Sequence, residues 1–302
     1  MGFIKKLIKK LIFYNFFQGL HLEFLNFLLL KNMKKATSIH LFGQNFYFPK
    51  NSYTYQTFFR FFEKDRLPLI KKECDLMNIN FFENKPINII DVGANLGYQS
   101  LAYNHFLNVN KHICFEPFST NFYYLEKNLS SVANIEVLNF GLGERESREV
   151  ISFPAWEDDN SRLSNLGLMS IQDRSSSQES ITSMMSEKIE IKAFDDCNIS
   201  FNDDEIIFIK IDVEGFEYNV LLGMKGLIAN SKNIFFTIEL NPWIGGDNLP
   251  QIKSILALLG ENEFNSYIVK DNQLVEISDS NLMQLVESKT VDAFFRRNTT
   301  TI

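Results

Sequence analysis

The stretch "IIDVGANLGYQSLAY", residues 89–103, decides the fold of this 302-residue chain. An apolar run ends at Asp91, Gly93 and Gly97 follow within six residues, and a helix-like sequence starts near Ser100. A strand, a glycine-rich turn and a helix N-terminus form a cradle in which the backbone approaches a ligand closely and N–H groups face it. The stretch therefore predicts a βα unit with a ligand site at its turn.

Further short apolar runs follow at intervals suited to βα units. They end near Phe115, Phe140, Ile211 and Leu240. Runs of this kind with intervening helices predict an α/β fold, in which a mostly parallel sheet carries helices on both faces. Near the C-terminus, "DAFFRR" (292–297) is expected to add an antiparallel strand.

The regular alternation lapses between the third and fourth runs. "REVISF" (148–153) and "KIEIKAF" (188–194) alternate like the strands of an inserted β-hairpin. The segment "SIQDRSSSQESITSMMSE" (170–187) is rich in Ser and has no core pattern, so it predicts a mobile loop. Such a loop is either a surface insertion or a lid over an acceptor pocket.

Glu116 indicates what the first turn binds. It lies 19 residues after Gly97, at the end of the next apolar run. An acid at the end of the second strand is placed to hydrogen-bond a ribose diol. A dinucleotide fingerprint would need glycine at positions 95 and 98, yet the chain has Asn95 and Tyr98, which leave a pyrophosphate less room. An adenosyl ligand without phosphates, with a charged methionine tail beside Asp91, fits better.

A second charged stretch, "FIKIDVEGFE" (208–217), follows the fourth apolar run. The carboxyl ends of parallel strands face the ligand crevice, so these charges should lie opposite the glycine turn. Lys210, Asp212 and Glu214 alternate and would share one side of an extended backbone. The alternative is a structural ion-pair cluster at the head of the next helix, with Glu217 near its N-terminus.

The order and spacing of "DVGANLGYQS", "FEP", "AFDD", "IKIDVEGFEYNVLLGMKGLI" and "FTIEL" resemble the FkbM family of S-adenosylmethionine-dependent methyltransferases, over about residues 87–296. The resemblance implies a class I, Rossmann-like methyltransferase sheet and O-methylation of a hydroxyl, often on a sugar, glycolipid or natural product. It also implies that S-adenosyl-L-methionine is the cofactor, bound by Asp91, Gly93, Ala94, Asn95, Gly97, Glu116 and Pro117.

Methyl transfer requires alignment of the acceptor oxygen with the donor and removal of the hydroxyl proton. Asp212 is the first candidate for the base or acceptor hydrogen bond, and Glu214 is the second. Lys210 would tune them or, with a lowered pKa, act itself. Glu239, at the end of the fifth run, would contact the acceptor. Asp212, Glu214 and Glu239 could together bind Mg²⁺, but no tight acidic ligand pattern appears, and we expect no metal.

Composition and charge limit the classes of function. Hydrophobic residues make up 45% of the chain, which is enough for a full core. The three cysteines lack zinc or redox spacing and favour a reducing, cytoplasmic compartment. The net charge is −7, but residues 1–35 hold seven Lys and one Glu, so the rest of the chain carries −13. An acidic body disfavours a nucleic-acid groove.

The basic head is predicted to be an amphipathic helix, because Ile4, Leu7 and Leu11 recur at helical spacing opposite lysines. Glu23 and several polar residues argue against a membrane span. Two interpretations stay open: a helix on an anionic membrane surface, which would make the protein peripheral, or an extension that packs on the main domain or a partner subunit. We divide the chain into a basic helical extension, 1–75, and a methyltransferase domain, 76–302.

Two other classes compete with a methyltransferase. One is a nicotinamide-dependent (NAD) oxidoreductase on a similar sheet. The other is a non-catalytic module that binds S-adenosylmethionine while its basic head docks to a membrane. The acceptor, a small molecule or glycan, and the oligomeric state are left open by the sequence.

Overall fold

A computed structural model describes residues 38–49, 66–155, 183–244 and 247–297. The predicted amphipathic helix within residues 1–35 lies outside these ranges. No helix within them combines the length and the apolar character that a membrane crossing requires.

The secondary structure alternates strands and helices over most of the described chain. In chain order the elements are β1 (Ser38–Leu41), β2 (Gln44–Tyr47), α1 (Leu67–Met77), a π-helical turn (Asn78–Phe82), β3 (Ile87–Val92), α2 (Tyr98–Phe106), β4 (Val109–Phe115), α3 (Ser119–Leu129), β5 (Ile135–Leu138), β6 (Gly141–Leu142), β7 (Ser147–Ala155), β8 (Ser183–Lys192), a 3₁₀ turn (Phe194–Asp196), β9 (Ile206–Ile211), α4 (Glu217–Leu222), α5 (Lys225–Asn230), β10 (Ile234–Leu240), α6 (Leu249–Glu261), β11 (Phe264–Lys270), β12 (Gln273–Ile277), α7 (Asp279–Val286) and β13 (Val291–Arg297).

Eight strands form the central sheet in the order β12-β11-β13-β10-β9-β3-β4-β5. Strands β3, β4, β5, β9 and β10 are parallel, whereas β13 runs antiparallel between β10 and β11. This confirms the predicted Rossmann-like sheet and its antiparallel C-terminal strand. From β3 the chain builds outward first to β4 and β5 and then, on the other side, to β9 and β10. A ligand crevice is expected at the carboxyl ends of β3 and β9, where the strand order reverses.

The central strands are apolar on both faces because helices cover both. Successive residues Phe208 and Ile209 of β9 belong to two separate cores, as the alternation of side chains along a strand requires. Helices α1, α2 and α3 cover the first core, and α4, α5, α6 and α7 cover the second.

The described part of the predicted helical extension differs from expectation. Residues 38–47 form an antiparallel hairpin, β1 with β2, and α1 runs across the predicted boundary between residues 75 and 76. Phe46 and Cys74 are buried in the same core as β3. These segments therefore belong to the domain that contains the central sheet, because their apolar side chains complete its first core.

The predicted inserted hairpin is confirmed. Strands β7 and β8 pair antiparallel from Ser147↔Ile191 to Ala155↔Ser183, and the short β6 pairs parallel with β8. The predicted loop at 170–187 is wrong for its last five residues, which open β8. Residues 170–182 lie outside the described ranges.

Candidate active site

The turn after β3 is fixed by hydrogen bonds to the neighbouring strand. The backbone N–H groups of Gly93 and Ala94 both donate to the carbonyl oxygen of Phe115, at 3.0 Å. Asn95 and Gly97 take left-handed backbone angles, with φ of 53° and 84°. A Cβ at Gly97 would lie 2.8 Å from Leu125 of α3, so glycine there also permits close helix packing.

The acidic loop after β9 lies directly against this turn. The N–H of Asp212 donates to the carbonyl oxygen of Val92 at 3.1 Å. A Cβ at Gly93 would lie 2.0 Å from the carbonyl oxygen of Asp212. The glycine turn and the charged end of "FIKID" are thus adjacent at the carboxyl edge of the sheet, where a crevice between them stays a prediction.

Lys210 is buried between the two loops, with 5% of its surface exposed. Its Nζ lies 3.4 Å from Asp91 Oδ1 and 3.3 Å from Asp212 Oδ2, and it donates to the carbonyl oxygen of Gly93 at 3.4 Å. Burial favours the neutral amine, but the charges of Asp212 and Asp91 outweigh it and raise the pKa of Lys210. The hypothesis that Lys210 acts as a base through a lowered pKa is therefore contradicted: the residue stays a cation that holds two carboxylates.

Asp91 is fully buried beneath the turn, and its place beside a ligand's charged tail stays a prediction. One carboxylate oxygen accepts a 2.5 Å hydrogen bond from Ser100 Oγ in the first turn of α2, and the other faces Lys210. Asp91 therefore fixes the start of the helix and the lysine from beneath the turn.

Glu116 closes the turn from the end of β4. Its Oε2 accepts the N–H of Asn95 at 2.9 Å, and its Oε1 accepts the N–H of Phe118 at 3.0 Å and the amide of Asn121 at 3.4 Å. Burial raises its pKa to about 7, although these hydrogen bonds oppose the shift. Pro117 follows and lies against Gly141, where a Cβ would be 3.4 Å from its Cγ.

Extended backbone ends at Ile211, so the predicted alternation along one strand does not continue to Glu214. Glu214 and Gly215 have left-handed φ angles of 55° and 99°. Buried Glu217 holds this loop, because its Oε1 accepts the N–H groups of Val213 at 3.2 Å and Gly215 at 3.0 Å. Asp212 and Glu214 of this loop lie close to Glu239 of β10. One carboxylate oxygen of each of the three residues lies within 4.8 Å of the other two.

Glu239, at the end of β10, lies beside the acidic loop and has a strongly raised pKa. Burial, followed by the charge of Asp212, raises its pKa to about 9. Asp292 of β13 is its register partner on β10 and raises it further. At neutral pH, Glu239 is therefore protonated and can donate a hydrogen bond as well as accept one.

Three further charged residues were not singled out from the sequence. Arg66, just before α1, lies 3.8 Å from Asp292, and burial raises the pKa of Glu73 on α1 to about 7. The charge of Asp292 adds to this increase in the pKa of Glu73, whereas the charge of Arg66 opposes it. The helix α1 and the strand β13 are distant in sequence from the acidic loop. Arg66, Glu73 and Asp292 could therefore have been predicted to lie near Glu239 only from the pairing of β10 with β13.

An exposed tryptophan follows β10 at the same edge of the sheet. Trp243 is 59% exposed, while its neighbour Ile244 is buried and lies where a Cβ at Gly215 would be 2.6 Å away. The backbone here is held by Asn248, whose N–H donates to Pro242 O and whose side chain donates to Asn241 O, both at 3.0 Å. The exposed Trp243 thus follows β10 directly before a residue that packs against the acidic loop.

The family model described as "Methyltransferase FkbM domain" matches residues 91–268. The comparison with curated proteins finds no match. Similar solved structures include precorrin-6y C5,15-methyltransferase from Geobacter metallireducens GS-15, with 9% identity over 76% of this chain and 87% of that chain and a TM-score of 0.38. A putative rRNA-methylase from Clostridium thermocellum has 8% identity over 76% and 94% of the two chains and a TM-score of 0.41. Likeness at this level carries no information on substrate.

Proposed function

Since this chain belongs to the FkbM methyltransferase family, we propose that it transfers a methyl group from S-adenosylmethionine to a hydroxyl oxygen of a sugar, glycolipid or natural product. The observation that supports the proposal is the backbone contact between Gly93 and Asp212, which makes the glycine turn and the acidic loop neighbours. We call the glycine turn, residues 93–97, the donor turn, because it is the proposed site for S-adenosylmethionine.

The residues of the donor turn fit a nucleoside without phosphates. Oε2 of Glu116 receives one N–H, so it can accept one ribose hydroxyl as well. Oδ1 of buried Asn121 has no hydrogen-bond partner among the described residues and offers a second acceptor. When bound, S-adenosylmethionine supplies a methyl group on a positively charged sulfur. Asn95 and Tyr98, in place of glycines, leave less room for a pyrophosphate, which weighs against a nicotinamide dinucleotide.

Asp212 is the proposed base for the acceptor hydroxyl. Its side chain is 33% exposed, and one oxygen lies 3.3 Å from the Lys210 ammonium. That ion pair fixes the orientation of the carboxylate. The proton of the acceptor hydroxyl would move to Asp212 as the new carbon–oxygen bond forms and the carbon–sulfur bond of the donor breaks, which leaves S-adenosylhomocysteine. Glu239, protonated at neutral pH, would donate a hydrogen bond to another acceptor oxygen. Glu214 is placed to bind the acceptor beside them.

The crevice also supports a carbohydrate acceptor. A sugar ring has hydroxyl edges that suit carboxylates and C–H faces that stack on an aromatic ring. Asp212, Glu214 and Glu239 supply the first kind of group, and the indole of Trp243 supplies the second. The carboxylates of Asp212 and Glu214 would repel an anionic acceptor.

We propose in addition that residues 1–35 dock the enzyme to an anionic cytoplasmic membrane surface, because seven lysines there accompany an apolar stripe. Binding of the full chain to phosphatidylserine vesicles would support this. Equal binding by a chain that lacks residues 1–35 would remove it.

Two assays test the proposed function. In the first, S-adenosylhomocysteine should raise the melting temperature and NAD should not; stabilisation by NAD alone would favour the oxidoreductase alternative. In the second, labelled donor is incubated with a panel of methyl glycosides, glycolipids and polyhydroxylated natural products. Product is expected with the wild type and, with Asp212→Asn, at a rate roughly 10² to 10⁴ lower. Donor binding without product across the panel would favour a non-catalytic module.

A further inference from the structure

Three buried polar side chains lie together beneath the donor turn, outside the crevice. They are Asp91 on β3, and His112 and Cys114 on β4, all with no exposed surface. Asp91 is the register partner of Cys114, and His112 lies two residues earlier on the same face of β4. One ligand atom from each lies within 4.8 Å of the other two.

Two atoms of this group have unsatisfied hydrogen-bonding capacity. Oδ2 of Asp91 accepts from Ser100, whereas Oδ1 has the Lys210 ammonium at 3.4 Å but no hydrogen bond within the described chain. Nδ1 of His112 is hydrogen-bonded to the amide of Asn104, whereas Nε2 has no partner there. Buried polar atoms are nearly always paired, with protein or with ordered water.

The protonation of His112 makes the two atoms complementary. Burial lowers its pKa to about 4, so the ring is neutral at physiological pH. Because Nδ1 accepts from the Asn104 amide, the ring proton lies on Nε2 and needs an acceptor. Two atoms that share one water molecule lie roughly 4 to 5 Å apart. Nε2 and Oδ1 make no direct hydrogen bond, and one ligand atom each of His112 and Asp91 lie within 4.8 Å of one another.

We propose that one buried water bridges His112 Nε2 and Asp91 Oδ1, with Cys114 as its third neighbour, and that His112 is thereby a positioning residue for the donor turn. The water accepts the Nε2 proton and donates to the carboxylate. Two features disfavour a metal ion: the ammonium of Lys210 lies 3.4 Å from the same carboxylate oxygen, and burial keeps Cys114 a protonated thiol by raising its pKa.

The bridge connects two elements that support the turn. Asn104 of α2 holds His112, and Asp91, which the water would fix, holds Ser100 at the start of the same helix. Asp91 is also two residues before Gly93. Removing His112 would leave Asp91 freer to shift and would loosen the turn on which donor affinity depends. The inference about affinity rests on the proposed donor site, whereas the water itself does not.

A high-resolution crystal structure of the full chain tests the water directly. We expect one peak within hydrogen-bond distance of both Asp91 Oδ1 and His112 Nε2, without anomalous signal at a transition-metal edge. An anomalous peak, or direct pairing of the two side chains, would overturn the proposal. This test is independent of whether S-adenosylhomocysteine binds.

Calorimetry with S-adenosylhomocysteine tests the positioning role. His112→Leu should weaken binding about tenfold, because it leaves a buried carboxylate oxygen without its bridge. His112→Gln, which keeps an N–H near the position of Nε2, should recover most of the affinity. Gln251→Leu on α6, a helix that covers the opposite face of the sheet, removes another side chain with an unpaired buried oxygen and should leave affinity unchanged. Equal effects of His112→Leu and Gln251→Leu would refute the positioning role of His112.

Failure of the wild type to bind S-adenosylhomocysteine would instead refute the proposed donor site. If His112→Leu does not fold, the test uses the affinity of His112→Gln relative to the wild type, together with the crystal structure.

Discussion

Gly93 and Asp212 touch through their backbones: a Cβ on Gly93 would come within 2.0 Å of the carbonyl oxygen of Asp212. The first residue of the glycine turn and the first residue of the acidic loop therefore have no room for a side chain between them. The contact brings the ends of β3 and β9 together at the point where the sheet order reverses. It is the geometric basis for assigning both loops to one crevice.

Replacing Gly93 with alanine should cost roughly 3 kcal/mol or more of folding stability, because the clash is with backbone and adds to the strain of a φ of 80°. Gly43→Ala is the matched control, since Gly43 has a φ of 83° but nothing within 4 Å of a Cβ. That variant should lose only about 1 kcal/mol. Chemical denaturation measures both. Equal losses would mean that the Gly93 contact is unimportant.

Replacing Lys210 with methionine should destabilise the protein by about 3 to 5 kcal/mol, because buried Asp91 loses its counter-charge. Adding Asp91→Asn should restore part of the loss. Lys71→Met removes an exposed ion pair with Asp75 and should cost no more than about 0.5 kcal/mol. A double-mutant cycle by urea unfolding measures the coupling; a coupling near zero would contradict the central role of Lys210.

Glu239 should make stability fall as pH rises. Its pKa is 4.5 ordinarily and about 9 in the fold, so between these values the folded protein binds a proton that the unfolded chain releases. Deprotonation of the folded state is therefore unfavourable, and stability declines through this window. Glu239→Gln cannot ionise, so its melting temperature relative to wild type should rise from the acid end of the window to the alkaline end. The exposed Glu261→Gln should show no such trend; a parallel response would contradict the assignment.

Trp243→Ala should raise the acceptor KM roughly tenfold or more and leave the affinity for S-adenosylhomocysteine unchanged, because a sugar ring, as proposed, would stack on the exposed indole. Trp243→Phe should retain most of the function. Tyr123→Ala on α3 removes another exposed aromatic ring, 57% exposed, and serves as the control. Steady-state kinetics with a methyl glycoside that proves to be a substrate decides it: an unchanged KM for Trp243→Ala would exclude the stacking role.

The fold could be predicted from sequence because its signals are local. Continuous apolar runs such as residues 206–209 identify strands covered on both faces, and the glycine turn identifies the start of the sheet. The antiparallel β13 and the β7–β8 hairpin follow from alternation within single segments. The place of α1 and of the β1–β2 hairpin could not be predicted, because Phe46 and Cys74 join the core through contacts that are distant in sequence.

The site was harder to predict because its chemistry depends on burial and register. The sequence indicated that Lys210 and Asp212 lie near the turn, but not that Asp91 is enclosed and raises the pKa of the lysine. Glu239 and Asp292 meet only because β10 pairs with β13 in one particular register. Such pairings between distant segments leave no pattern in either segment alone.

The most direct test of the account is a crystal structure with S-adenosylhomocysteine bound. The account predicts that the adenosine lies at the turn of residues 93–97, with its ribose at Glu116 and its sulfur facing Asp212 across the Gly93 contact. A nucleoside bound at any other part of the sheet, or a sulfur turned away from the acidic loop, would contradict the assignment of both loops to one active site.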